Sequence, residues 1–277
     1  MVRYRIYFYI LFIILVLWGG LSINVLNLNL GIDLKGGKLL EVQTNITPET
    51  LQNLLKDSKI RINKTQDTII LKGVSLNEED ILNKIKTYDQ NARIIRKEEI
   101  SAVLSSELLK KALLAIVLVL LGIGAYISAV FWQSRGLIPG FIFGSIVILT
   151  LFNDVISTLG IFTIFSHLYN YDLDISIIIA FLVIAGFSVH DTIVVLDRLR
   201  ENLRKEGKIN QEIFDKSIRE TLARSINTSL TAVLAISPLL FFIETIRPFL
   251  LTLIFGIIIG TGSSIGLALP LLYDITR

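Results

Sequence analysis

A chain of 277 residues that is 52% hydrophobic and 18% charged, with a strongly positive mean hydropathy, lies outside the composition of water-soluble domains. It contains no cysteine, which excludes disulfides, a thiol nucleophile and thiolate metal ligands. The net charge of +3 is small, so the placement of charge along the chain carries more information than its total.

In residues 1–29, a short basic start with Arg3 and Arg5 precedes an apolar run from Ile6 to Leu26, about 20 residues and long enough to span a bilayer. Trp18-Gly19-Gly20 makes a poor cleavage site, so the run reads as a retained first span rather than a signal peptide. Residues 30–104 change to the composition of a water-exposed domain. Gly31-Ile32-Asp33-Leu34-Lys35-Gly36-Gly37 is expected to form a turn or bulge leading into a strand over Lys38–Gln43. Thr47 is placed to cap a helix with Pro48 at its first position and Leu51, Leu54 and Leu55 on one face. Two short strands, Lys59–Asn63 and Thr68–Lys72, flank a polar turn at Lys64-Thr65-Gln66-Asp67. Ser75 or Asn77 opens a second helix with a stripe of Ile81, Leu82 and Ile85, and Ala92–Ile100 is the last strand. The order strand-helix-strand-strand-helix-strand suits a small ferredoxin-like α+β sandwich, a scaffold that names no function by itself.

Residues 105–277 yield five more spans: Ala112–Phe131, Leu137 to Phe165, Ile175 to Leu196, Ile226 to Ile243 and Pro248 to Leu272. Tight connections fall at Gln133-Ser134-Arg135-Gly136 and Glu244-Thr245-Ile246-Arg247. The fold class expected is therefore a multi-pass α-helical membrane protein, with six transmembrane helices and one small domain between the first and second. The connector 197–224 holds Arg198, Arg200, Arg204, Lys205, Lys208, Lys216, Arg219 and Arg224, whereas the short loops of the opposite face offer Arg247 alone. By the positive-inside rule both termini and the connector are cytoplasmic and the small domain is external.

Asp191 lies inside the fourth apolar run, about 10 Å from the connector's level at 1.5 Å per residue. An ionisable group at such depth costs about 2.5–3.5 kcal/mol on insertion scales, which marks it as functional; the bland alternative is a span that ends early. Arg224, at the start of the fifth span with Asn227, Thr228 and Thr231 on its stripe, is either a partner that stabilises the Asp191 anion or a snorkelling interfacial arginine. Asn153 and Asp154 interrupt the third span as a second relay element or a polar packing contact. Gly140 with Gly144, and Gly256 with Gly260 followed by Gly262 and Ser263, read as close helix contacts. Pro238 is expected to bend the fifth span. No nucleotide loop, metal-ligand set or nucleophile constellation is present in the sequence, so neither a cofactor nor enzymatic chemistry is expected, and nothing points to nucleic acid.

Three stretches resemble one family. Gly31–Gly37 after a first span, Ser188-Val189-His190-Asp191-Thr192-Ile193-Val194-Val195 running into Asp197-Arg198-Leu199-Arg200-Glu201-Asn202, and Gly260-Thr261-Gly262-Ser263-Ser264-Ile265 are similar to the SecD/SecF family of bacterial translocase subunits, on its SecF side. The resemblance covers essentially the whole chain and includes Asn153-Asp154-Val155. It implies a SecD partner, work beside the SecYEG channel after SecA has begun export, YajC as a candidate companion, and an exported preprotein drawn out by the proton gradient across the cytoplasmic membrane, amid membrane lipid. It also places the family's proton-pathway carboxylate at Asp191 and its arginine at Arg224, with Asp154 as a further recurrent polar position. His190 stands where the family usually has Asn, either as a titrating member of the relay or as a packing group. Rival readings are a half-sized exporter of lipids or small molecules, for which the small domain leaves little room, and a scaffold for SecD that moves no protons.

Overall fold

The computed structural model describes residues 2–26, 28–44, 46–55, 60–65, 68–73, 77–132 and 137–277. Among the described residues, six helical segments are long and apolar enough to cross a membrane: Arg5–Ile23, Ala102–Trp132, Gly140–Tyr169, Ile175–Glu206, Gln211–Phe242 and Arg247–Thr276. The chain divides into two compact units: residues 1–28, 114–168 and 176–277, and residues 29–113 with 169–175.

In the small unit, a helical turn α2 (Ile32–Lys35) is followed by β1 (Gly37–Gln43), α3 (Pro48–Leu54), β2 (Arg61–Thr65), β3 (Thr68–Gly73), α4 (Glu78–Lys86) and β4 (Arg93–Ile100), with α1 (Arg5–Val25) preceding them in the chain. The strands form an antiparallel sheet in the order β2-β3-β1-β4, the pairing a ferredoxin-like sandwich requires. Register places Leu40 opposite Leu71 and Val42 opposite Ile69, so alternate residues aim apolar side chains at one face. Leu51, Leu55, Ile81 and Ile85 cover that face, and Ala92 completes the core. Thr47 caps α3 as its sequence suggests, its hydroxyl accepting from the Thr50 N–H at 3.4 Å. The expected turn or bulge at 32–37 is one turn of helix closed by Gly36 and Gly37 at φ 83° and 147°, backbone that side-chained residues rarely adopt. β2 begins at Arg61 and extends to Thr65. Lys59, Gln66, Asp67, Ser75 and the connection Gln133–Gly136 lie outside the described residues.

The membrane unit is built from α1, α5 (Ala102–Trp132, from residue 114 onwards), α6 (Gly140–Tyr169), α7 (Ile175–Glu206), α8 (Gln211–Ile236), the short α9 (Leu239–Phe242), α10 (Arg247–Ser263) and α11 (Leu269–Thr276). α6, α7 and α10–α11 are the inner helices; α1, α5 and α8 bury little of their surface. The helices outrun the apolar runs that announce them. α5 starts at Ala102 rather than Ala112 and continues through Lys110-Lys111, where Lys111 pairs with Glu107 one turn away. The connector 197–224 is two helical extensions meeting at Gly207, φ 67°, because its charges pair along and between helix faces: Arg198 with Glu201 at 2.5 Å and Glu220 at 2.7 Å, and Lys205 with Glu201 at 2.7 Å. Pro238 sits where α8 has ended and the single turn of α9 begins.

Glycines set the closest helix approaches. A Cβ on Gly140 would lie 2.5 Å from the Trp132 N, and one on Gly144 would overlap the Ser128 hydroxyl and the Gly124 carbonyl. Gly160 meets Gly19 of α1, with a Cβ only 2.8 Å from the Gly19 Cα, and the Trp18 indole N–H donates to the Gly160 carbonyl at 3.1 Å. Gly262 differs, since a Cβ there would touch only the Phe12 ring, at an ordinary 3.9 Å. Between α10 and α11, Ser264–Ala268 wind as a wider π-turn, a device that inserts an extra residue into a helix.

Gly144→Val is expected to lower thermal stability in detergent by about 1–3 kcal/mol through overpacking, with Gly262→Ala near neutral in the same melt. Leu71→Ala, at a fully buried position of the sheet core, is expected to cost about 2–5 kcal/mol and to raise protease sensitivity within residues 29–113.

Candidate functional site

Asp191 lies on α7 with 2% of its surface exposed. α10 reaches it because Gly256 and Gly260 face Ile184 and Ser188, two turns and one turn earlier on α7; a Cβ on Gly260 would stand 2.8 Å from the Ser188 Cβ. This approach brings the Thr261 hydroxyl to 3.1 Å from Asp191 Oδ2, while Ser229 of α8 reaches the same oxygen at 3.4 Å. Ser229 and Thr261 are also hydrogen bonded to each other. Each hydroxyl carries one proton and has a second outlet, the Ile257 carbonyl for Thr261 at 3.0 Å and the Ser225 carbonyl for Ser229 at 2.9 Å. The anion of Asp191 therefore finds donors, and its protonated form finds hydroxyl oxygens that accept, with no change of backbone. The surroundings of Asp191 can thus serve either protonation state.

A second carboxylate lies nearby on α6. Asp154 is fully buried and accepts from Asn153 Nδ2 at 3.2 Å, from Ser188 Oγ at 2.5 Å and from the hydroxyl of Ser263. Ser188 precedes Asp191 by one turn of α7, so the two acids share one helix face through it. Thr192 bonds Ser264 across the α7–α10 contact at 2.8 Å, and Ser264 also bonds the Gly260 carbonyl at 2.8 Å. The buried hydroxyls of Ser157, Thr158 and Ser225 make no hydrogen bond among the described residues, leaving this region more polar than its packing needs.

Arg224 occupies a different face. Its residue is exposed, it makes no ion pair with Asp191, and its charge acts on that carboxylate through space. Asn227 and Thr231 are exposed on the same side of α8. The face turned inward instead carries Ser217, Thr221, Ser225 and Ser229, all buried at intervals of four. That ladder was the signal for Ser229 in the sequence, and the more conspicuous arginine stripe obscured it. His190 is exposed, one residue and about 100° around α7 from Asp191. Thr261, expected only as part of a packing motif, is the hydroxyl nearest Asp191, and Ser263 contacts Asp154 while donating to the Gly260 carbonyl at 3.0 Å.

A family profile described as "Protein export membrane protein SecD/SecF, C-terminal" matches residues 80–277. The chain is 33% identical to the protein translocase subunit SecF of Sebaldella termitidis, covering 100% of this chain and 92% of that protein. It is 36% identical to the subunit of the same name from Calditerrivibrio nitroreducens, covering 89% and 84%. Among solved structures it is similar to SecDF from Thermus, with a TM-score of 0.83 at 26% identity over 99% of this chain. It is also similar to SecDF in a super-membrane-facing form, with a TM-score of 0.64 at 25% identity. It spans 38% of each of those SecDF chains, and its arrangement is nearer the first. With a profile over most of its length and relatives that align from end to end, the chain belongs to the SecD/SecF family of protein export membrane proteins.

Proposed function

We propose that this chain is the SecF-type half of a SecD–SecF assembly that uses the proton gradient to assist protein export across the cytoplasmic membrane, with Asp191 as the group that takes up and releases the proton. The observation carrying this reading is the buried Asp191 carboxylate between hydroxyls that serve either protonation state. A proton falling through about 100 mV supplies about 2.3 kcal/mol, enough to bias two helix arrangements by more than tenfold. Its arrival on Asp191 removes the attraction of Arg224 and reassigns the Thr261 and Ser229 protons, so the contact of α7 with α8 and α10 is rebalanced. Asp154 is the second polar station, reached through Ser188, and His190 acts from the outer side of α7.

The outward stripe of Arg224, Asn227 and Thr231 supports a partner. Facing lipid, a guanidinium at membrane depth would cost about 2.5–3.5 kcal/mol, a cost removed when helices of a SecD-type chain cover it. The remaining length of the SecDF neighbours fits the same reading, since it leaves room for a second half. The clustering of Arg and Lys in residues 197–224 favours cytoplasmic termini and an external small unit of residues 30–104. In this assignment the work is transport rather than enzymatic turnover, the neighbours are SecYEG, SecA and YajC, and the cargo is the emerging preprotein.

In inverted membrane vesicles, Asp191→Asn is expected to reduce gradient-dependent export by about tenfold or more while the variant still copurifies with its partner. Export equal to the parent's would leave a scaffold role and sink the relay. Thr261→Val, which keeps the shape and deletes a donor, is expected to lower the same activity by less than Asp191→Asn does.

A further inference from the structure

The segment Gly31–Gly37 has no part in the site around Asp191, yet it is fastened to residues 173–175 and to α5. Leu30 pairs with Leu173 as a parallel β-bridge: the Gly31 N–H donates to the Leu173 carbonyl at 2.7 Å, and the Leu173 N–H to the Asn29 carbonyl at 2.7 Å. Gly31 fits because it lacks a side chain; a Cβ there would stand 3.1 Å from the Asp174 Cβ and 3.2 Å from the Leu173 carbonyl oxygen. Two residues on, the Asp33 carboxylate accepts the backbone N–H of Ile175. Ile175 is the first residue of α7, where amides have no intrahelical partner and negative charge is favoured. On β3, Lys72 Nζ meets Asp172 Oδ2 at 2.9 Å, with the Asp172 side chain only 3% exposed. The clamp is anchored behind as well. Ser105 of α5 donates to the Ile32 carbonyl at 3.1 Å, and Gly36 and Gly37 lie against Ala102 and the Gly73 carbonyl, too close for a side chain.

We infer that Gly31 and Asp33 are positioning residues for energy coupling: they hold residues 172–175 as part of the small unit, so that displacement of α7 is delivered to that unit rather than absorbed by a loop. This rests on the proposed role of Asp191, which lies about 24 Å further along α7 at 1.5 Å per residue. Two short backbone hydrogen bonds, a buried ion pair and a capped amide hold residues 172–175 to the rest of the small unit, whereas a free five-residue connection would flex. Asp33 grips α7 itself, and it does so through an acceptor oxygen, which asparagine also possesses.

The test uses the full chain assembled with its partner in vesicles, with proton flux read by a lumenal pH dye and export read by protease protection of a preprotein. Asp33→Ala is expected to keep most of the proton flux and to lose about tenfold or more of gradient-stimulated export, the size that one lost charged hydrogen bond carries. Asp33→Asn is expected to keep both. Wild-type export by Asp33→Ala, or equal loss of flux and export in an assembled complex, would overturn the inference, since the first means no role and the second a merely structural one. Because the chain has no cysteine, L30C with L173C gives a single cross-link across the bridge; export is expected to survive it, and loss on oxidation would mean that the joint has to open. If Asp191→Asn leaves flux and export intact, the failure lies in the proton reading instead.

Discussion

A carboxylate removed from water has to be met by hydrogen-bond donors from its neighbours, and those neighbours must first be close enough to supply them. In this bundle closeness comes from glycine: Gly256 and Gly260 let the backbone of α10 settle against Ile184 and Ser188 of α7. Only then do Thr261 and Ser229 reach Asp191, and Ser188 and Ser263 reach Asp154. The wide turn at Ser264–Ala268 follows directly and changes the phase of the helix below it, so that Ser264 meets Thr192 while Leu269, Leu272 and Tyr273 still face the apolar core. The acid, the glycines and the irregular turn thus form one arrangement.

The hydroxyls differ from a basic partner in what they permit. A guanidinium in contact with Asp191 would hold one charge state, because separating a buried pair is costly. Hydroxyls are indifferent: each donates or accepts by rotation about one bond. Arg224 supplies its field from outside that contact, so its influence falls or rises with the helix face on which it sits.

Much of this was legible before coordinates. The apolar runs gave six spans, the alternation and turn residues gave the antiparallel sandwich, and the depth of Asp191 singled it out. What stayed hidden has physical causes. Apolar runs record contact with lipid, not helix length, so the extensions of α5, α7 and α8 escaped. A polar stripe on a membrane helix has two possible neighbours, the chain's own helices or its surroundings, and spacing does not distinguish them; on α8 the Ser225–Ser229 stripe is buried within the chain and Arg224 is exposed. Gly262 and Gly260 look equivalent in the sequence, and only the position of the α7 backbone separates them. The segment 32–35 reads only as a turn or bulge, without its helical form, because four residues are too few for helical periodicity to register.

The base of α1 is fastened to segments far along the chain. The Val2 N–H donates to Asp215 Oδ1 at 2.9 Å, and Asp274 receives both Arg5 Nε at 2.9 Å and the Tyr9 hydroxyl at 3.0 Å. In translation order α1 precedes Asp274, so its helix enters the bilayer without these bonds until the helices between them have been made. Closure at this end of the bundle therefore waits on α11, while the contact of Trp18 with Gly160 can hold α1 against α6 earlier.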